Sequence, residues 1–304
     1  MCQKTTKNKH FCAMETRDHS KNGASQKSYT KKKSLIKNVF ISLAALTFFS
    51  IYVNAQTQFR FYKNEIELIV GEEYALNVQT NPSGQAVSWT SSSTSKATVE
   101  GDYEEGKVIA KASGTLTISA TFQGETISCK VTIYDTPLSG ATIEGVTWAA
   151  YNVNAPNTFT DKVTDRGMLY QWNSKKSHSK SPSSQSFEQG TAWNSENDPC
   201  PSGWRLPTLN EVQTLKSKVI NSTYGHQRGQ LKGRLATIND QKCVVMKFEN
   251  SQHLVFWSEH NNPATYWTST PNSSDKAYNY NFFESAPYSP PRYHALILRC
   301  VKNK

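Results

Sequence analysis

The run Ile66-Glu67-Leu68-Ile69-Val70-Gly71-Glu72-Glu73-Tyr74-Ala75-Leu76-Asn77-Val78 decides how the first half of the chain is read. Ile66, Leu68 and Val70 alternate up to Gly71, and Tyr74, Leu76 and Val78 alternate after it. An apolar side chain at every second position lays one strand face on a core, and a glycine between two such runs marks a turn. The pattern continues downstream. Asn81-Pro82-Ser83-Gly84 is a turn before Val87 and Trp89, followed by Val108 and Ala110, then Leu116, Ile118 and Ala120, then Ile127, Cys129, Val131 and Ile133. Short alternating strands at this spacing predict an all-β sandwich over residues 57–135. Cys129 is in phase with its apolar neighbours, which predicts a buried thiol. No His lies in this segment, so the polar cluster Ser91 to Ser95 has nothing to activate a nucleophile.

Outward from that segment, the charge is unevenly placed. The 304 residues carry 34 Lys and Arg against 24 Asp and Glu, a net of +10. Residues 1–55 hold ten of the basic groups and only two acids, Glu15 and Asp18, so the rest of the chain is close to neutral at +2. That balance argues against nucleic-acid binding, as does the lack of a basic cluster beyond Lys175, Lys176 and Lys180. Lys31, Lys32 and Lys33 precede a mainly apolar run from Val39 to Val53, closed by Val53-Asn54-Ala55. A basic stretch, a short apolar stretch and a small-residue exit describe a secretory signal, cleaved near Ala55. The run is short for a permanent span, so no membrane span is expected after cleavage. Met14 is an alternative start, and no Cys follows the apolar run to take a lipid.

Export leaves Cys129, Cys200, Cys243 and Cys300, which allow three pairings if all are oxidised. No C-x-x-C, H-E-x-x-H or zinc-ligand spacing occurs, and neither a metal nor a cofactor is expected. Pro137, Ser139, Gly140 and Gly145 make residues 136–145 a linker. The remainder, 146–304, contains six of the seven Trp. Here Thr208 can cap a helix and Glu211 can close its capping box, while Leu209, Val212, Leu215 and Val219 give an apolar face, predicting a helix over about 209–219. Residues 243–248 and 254–257 read as a strand pair, and 295–301 as a closing strand.

Two resemblances follow from motif order. Val70-Gly71-Glu72, Asn81-Pro82-Ser83, Val87-Ser88-Trp89-Thr90-Ser91-Ser92, Ala97-Thr98-Val99, Gly106-Lys107-Val108 and Ala112-Ser113-Gly114-Thr115 make residues 57–135 resemble the bacterial Ig-like domain, group 2. Domains of that family are spacers or adhesion modules on bacterial surface proteins. The second series is Trp148-Ala149-Ala150-Tyr151-Asn152-Val153-Asn154, Gly167-Met168-Leu169-Tyr170-Gln171-Trp172, Asp198-Pro199-Cys200-Pro201-Ser202-Gly203-Trp204-Arg205-Leu206-Pro207-Thr208, Tyr266-Trp267-Thr268-Ser269-Thr270 and Leu298-Arg299-Cys300-Val301. It closely resembles the Fibrobacter succinogenes major paralogous domain over nearly all of 146–302. That resemblance implies an irregular α+β domain of the C-type-lectin-like and sulfatase-modifying-factor-like kind. It also implies a Cys200–Cys300 disulfide, with Trp204 and Trp267 in the core.

The expectation that follows is a secreted or cell-surface, non-enzymatic binding protein. An Ig-like spacer presents a lectin-like domain to a glycan or a surface protein. Tyr278, Tyr280, Tyr288 and Tyr293, near the turn Pro287 to Pro291, are the candidate ligand contacts, although Tyr278, Tyr280 and Phe282 also alternate as one strand face would. No catalytic residue is assigned. A structural subunit or tip of a surface fibre is the alternative, and an oxidase of the formylglycine-generating type a remote one. A lectin-type calcium site is disfavoured: Asn261-Asn262-Pro263 lacks an acid, and Trp193-Asn194, with Asp198 nearby, comes before it rather than after.

Overall fold

The structure, a computed structural model, describes residues 58–187, 191–220, 222–226, 229–259, 262–282 and 287–303. The basic leader, its cleavage site near Ala55, and Cys2 and Cys12 lie outside the described residues. Residues 57–304 form one compact unit.

Eight strands make the N-terminal module: β1 (Arg60–Phe61), β2 (Glu65–Ile69), β3 (Glu72–Gln79), β4 (Ser88–Ser91), β5 (Ala97–Glu100), β6 (Glu105–Ala110), β7 (Gly114–Phe122) and β8 (Glu125–Tyr134). One sheet runs β2-β8-β7-β4, with β2 parallel to β8; opposite it β3 pairs with β6 and β6 with β5, and β1 pairs with the end of β3. The alternating residues named above meet between the sheets: Leu68, Leu76, Val108, Ile118, Cys129 and Val131 are all buried. The Cys129 thiol is free, and burial pushes it up to about 11. Trp89 closes one end of this core, edge-on to Phe61 and donating from Nε1 to the Tyr103 carbonyl at 2.8 Å. Its indole lies against Gly106, where a Cβ would come within 2.6 Å of the ring, so only glycine fits.

The chain then continues as β9 (Ala141–Ile143), β10 (Val146–Asn152), β11 (Leu169–Gln171), β12 (Ser177–His178), β13 (Trp204–Arg205), α1 (Leu209–Ser217), β14 (Ser222–His226), β15 (Gly229–Lys232) and β16 (Arg234–Ile238). It ends with β17 (Gln241–Lys247), β18 (His253–Glu259), β19 (Asn262–Pro263), β20 (Tyr266–Pro271), β21 (Ala277–Tyr280), β22 (Ala295–Leu296) and β23 (Arg299–Lys302). This C-terminal module is mostly β, with α1 its one α-helix among the described residues. The segment 136–145, expected as a linker, contains β9, which forms a hairpin with β10. Glu144 and Gly145 between them have φ of 49° and 74°, the left-handed pair that a two-residue hairpin turn needs. The glycine that read as linker punctuation is a turn residue.

The two modules share one sheet. Its order is β19-β18-β17-β16-β3-β6-β5, and β16 pairs antiparallel with β3 through Thr237↔Glu73 and Ile238↔Glu72. Glu72 is buried at this seam, 1% exposed. Its carboxylate accepts from the Ile69 amide at 3.0 Å and from both terminal nitrogens of Arg234, with Nη2 at 2.6 Å. The turn Asn239-Asp240, also left-handed, rests on Gly71: the Asn239 amide donates to the Gly71 carbonyl at 2.9 Å. Alongside, Lys247 contacts both oxygens of Glu67 at 2.6 Å, Tyr134 donates to Glu67, and the Tyr134 ring packs 4.7 Å from His253. The cluster beneath joins Ile69 of β2 to Ala150, Ala236, Ile238, Cys243, Val245 and Val255.

α1 begins as expected and stops earlier. The Thr208 hydroxyl accepts from the Glu211 amide, and Glu211 accepts from the Thr208 amide at 2.8 Å. Val212 and Leu215 are buried, but the helix ends at Ser217, because Val219 leaves it to bridge Phe248. The expected closing strand is two pieces, β22 and β23, interrupted where Ile297 bridges Tyr266.

Two consequences can be measured. Arg234→Ala leaves the Glu72 carboxylate buried without its cation; removing one partner of such a pair costs about 3–5 kcal/mol, read as a lower midpoint in urea unfolding. Burial first, then Lys247 and Arg234, lower the His253 pKa from 6.5 to about 4. The unfolded chain therefore binds a proton that the folded chain refuses across that interval. Stability falls as pH drops from about 6.5 toward about 4. Unfolding at pH 7 and pH 5 should show a larger loss for the native chain than for His253→Gln.

Candidate functional site

The motif blocks of the C-terminal module converge on one bond. Cys200 and Cys300 form a disulfide, with Cα atoms 6.1 Å apart and a sequence separation of 100. Around it pack Val153, Tyr170, Trp172, Leu206, Trp267 and Leu298, all buried. Trp172 donates from Nε1 to the Thr268 carbonyl at 2.9 Å, and Trp267 to the Tyr170 carbonyl at 2.8 Å, so each buried indole N–H has an acceptor. Trp204, expected in the core beside Trp267, is half-buried and meets Phe159 edge-on at 5.6 Å.

Asp198 fixes the loop that leads into α1. Its Oδ1 accepts from the Cys200 amide at 2.9 Å, and Oδ2 from the Leu206 amide at 2.9 Å and Trp193 Nε1 at 3.2 Å. Burial pushes this carboxyl up, against those three donors and the nearby Arg205, which favour the anion. Both oxygens are thus committed to the loop itself, which gives Asp198 a structural role rather than a ligand's. Asn194, four residues before it, accepts from the Glu196 amide at 3.0 Å as the cap of a short 3₁₀ turn. Of Asn261-Asn262-Pro263, Asn261 lies outside the described residues. Arg205 carries the loop onto the helix through paired contacts to Glu211 at 2.9 and 2.5 Å.

Among the described residues, two arginines are wholly buried. Arg299 donates to Asn152 Oδ1 at 2.9 Å and to the carbonyls of Ala149, Ala150 and Val255 at 3.0, 2.7 and 2.9 Å, with its guanidinium 4.4 Å from the Phe256 ring centre. It ties β10, β18 and β23 together, and burial pushes its pKa down. Arg292 lies 4.0 Å over Trp172 and donates to the Ser273 and Lys276 carbonyls.

The four candidate tyrosines do not share one surface. Tyr280 is turned inward, 4% exposed, stacked on Tyr266 at 5.3 Å and edge-on to Phe282. Tyr278 is half-buried, its carbonyl taking the Thr268 hydroxyl. Tyr293 is half-buried beside His294 at 4.9 Å. Tyr288 is open to solvent at 57%.

Among the depressions lined by described residues, two open wholly on this module. One, of about 230 Å³, lies between α1 and β21, with Val212 and Tyr280 among its walls and Lys216, Lys232 and Asn281 among its polar groups. Lys216 is held there by the Asn281 carbonyl at 3.1 Å. The other, of about 420 Å³, lies between β11, β18 and β22, with Leu169, Trp257 and Leu296 in its wall and Arg166, Lys180 and Glu259 at its charged positions. Sequence reasoning missed this second one. Its residues come from five separate segments, and the only signals were Trp257 at the end of an apolar strand and Lys180 in a basic loop.

Residues 55–133 match the bacterial Ig-like domain (group 2) family. No curated protein matches the chain. Among solved structures, domains 4 and 5 of the S-layer protein SbsC align at 17% identity, covering 25% of this chain and 50% of that one, with a TM-score of 0.22. Domains 5-6 of the same protein align at 9% identity, covering 82% and 86%, with a TM-score of 0.26. The I9-I11 tandem from titin aligns at 10% identity over 79% and 89%, with a TM-score of 0.20. At these TM-scores none of the overlaps defines a shared overall architecture. No helix among the described residues is long and apolar enough to cross a membrane.

The disulfide gives this region its test. Closing a loop of about 100 residues is worth about 4.7 kcal/mol in the chain-entropy account. Cys200→Ser with Cys300→Ser should lower the unfolding free energy by an amount of that order, and reduction of the native chain should reproduce the loss.

Proposed function

We propose that this chain is an exported, non-enzymatic protein of the bacterial surface, in which the Ig-like module is a rigid mount for a ligand-binding C-terminal module. The observation that carries this reading is the Ig-like match over 55–133 together with the β3–β16 seam, which joins the mount and the presented module into a single body. A domain on a stiff mount is held away from the surface at little entropic cost, which suits adhesion. We also read 146–304 as a member of the Fibrobacter succinogenes major paralogous family with a lectin-like fold. The convergence of its motif blocks on the Cys200–Cys300 core supports this.

The chemistry of the thiols favours binding over catalysis. A redox cysteine needs an accessible thiolate, favoured by nearby positive charge. Cys200 and Cys300 are joined, while Cys129 and Cys243 are buried, with Cys243 pushed up to about 12 chiefly by burial. That is the reverse of what an oxidase of the formylglycine-generating type requires. The partner class is a glycan, with a protein partner, including neighbours in a surface fibre, as the alternative.

The test is a glycan-array screen of the purified, oxidised full chain, run with calcium and again with chelator. Saturable binding to a defined set of glycans, unchanged by chelator, is the expected result. A blank array from folded protein removes the glycan reading and leaves protein assembly.

A further inference from the structure

The groove between β11, β18 and β22 has a composition that selects a ligand, and we propose that it binds a carboxylated pyranose, a uronate unit of an acidic saccharide. This rests on the glycan reading above and narrows it to one site and one chemistry.

The apolar wall is Leu169, Trp257 and Leu296, each half-buried. Trp257 packs against the cluster of Val244, Leu254, Phe256 and Tyr266, which holds its position. A pyranose ring has an apolar face of C–H bonds, and covering an indole with that face removes apolar surface from water on both partners. The charged positions then discriminate. Arg166 donates from Nε to the Gly167 carbonyl at 3.2 Å and from Nη2 to the Ser179 carbonyl at 2.7 Å. These bonds fix the guanidinium, whose third nitrogen, Nη1, has no partner among the described residues. Lys180 adds a second cation, exposed at the same groove. Two cations at a half-apolar groove favour a carboxylate, to which Nη1 of Arg166 and the Lys180 ammonium each offer donors. Glu259, also exposed, supplies an acceptor for ring hydroxyls. A volume of about 420 Å³ fits one or two sugar units.

The depression beside α1 lacks this combination. It has no tryptophan face: its apolar residues are Leu209, Val212, Tyr280 and Pro287, and of its two lysines, Lys216 and Lys232, the first is already engaged with the Asn281 carbonyl.

The experiment titrates the full chain with trigalacturonate by calorimetry. Its controls are the methyl-esterified trisaccharide, which keeps the rings and loses the charge, and a glutamate-rich peptide, which keeps the charge and loses the rings. Trigalacturonate should bind, and both controls should bind at least about tenfold more weakly. Lys180→Glu, at an exposed position, should weaken binding about tenfold without altering the unfolding midpoint, and Trp257→Phe should weaken it as well. Equal binding of the methyl ester or of the peptide overturns the assignment, as does trigalacturonate binding that neither substitution changes. Neutral glycans scoring on the array while trigalacturonate does not bind would sink this site and leave the surface-binding reading intact. A blank array with no trigalacturonate binding would sink this site and the glycan reading together and leave protein assembly.

Discussion

Glu72 is an acid buried on the strand that both modules of the molecule share, and its carboxylate accepts from Arg234 across the seam. A carboxylate in that position is costly unless its partner stays in place. The partner is on β16, and β16 is hydrogen-bonded to β3 beside it, so the ion pair and the strand pairing require one another. The Asn239-Asp240 turn resting on Gly71 and the Lys247 contact to Glu67 flank the same joint. Ordinary neighbouring domains are linked by a chain and a modest polar interface. Here a sheet crosses the boundary, and the C-terminal module inherits its orientation from the sandwich.

Inside the C-terminal module a different charge does the organising. Arg299 is enclosed by neutral acceptors; Asn152 Oδ1 and the carbonyls of Ala149, Ala150 and Val255 accept its hydrogen bonds. Charge-assisted bonds to carbonyls of two separate strands fix how β10 and β18 lie about β23. The next residue along, Cys300, closes the disulfide to the loop stapled by Asp198. Two adjacent residues of one short strand thus secure the sheet and the loop that carries α1.

Period-2 alternation and the capping box were legible because each is a local pattern with one physical cause. The strands of the sandwich and the start of α1 follow from them. The seam was not legible. Glu72 and Glu73 lie between Gly71 and the alternating run that begins at Tyr74, and nothing near them in sequence announces Thr237 and Ile238. Gly145 read as linker because a glycine signals a turn without saying whether strands flank it. The Cys200–Cys300 pairing came from the family resemblance, since spacing alone left three pairings open. Tyr280 shows the limit for surface residues: alternation with Phe282 identified a strand face but not which face was inside. The groove between β11, β18 and β22 draws on segments that only the fold brings together.

The claim that the sandwich and the C-terminal module form a single body is tested most directly by native-state hydrogen exchange in increasing denaturant. The account predicts that amides of β3, β6, β16 and β17 converge on a single opening free energy, so that Val244 and Val108 become exchangeable together. Exchange of β16 and β17 through a separate, lower-energy opening, with β3 and β6 still protected, would contradict it.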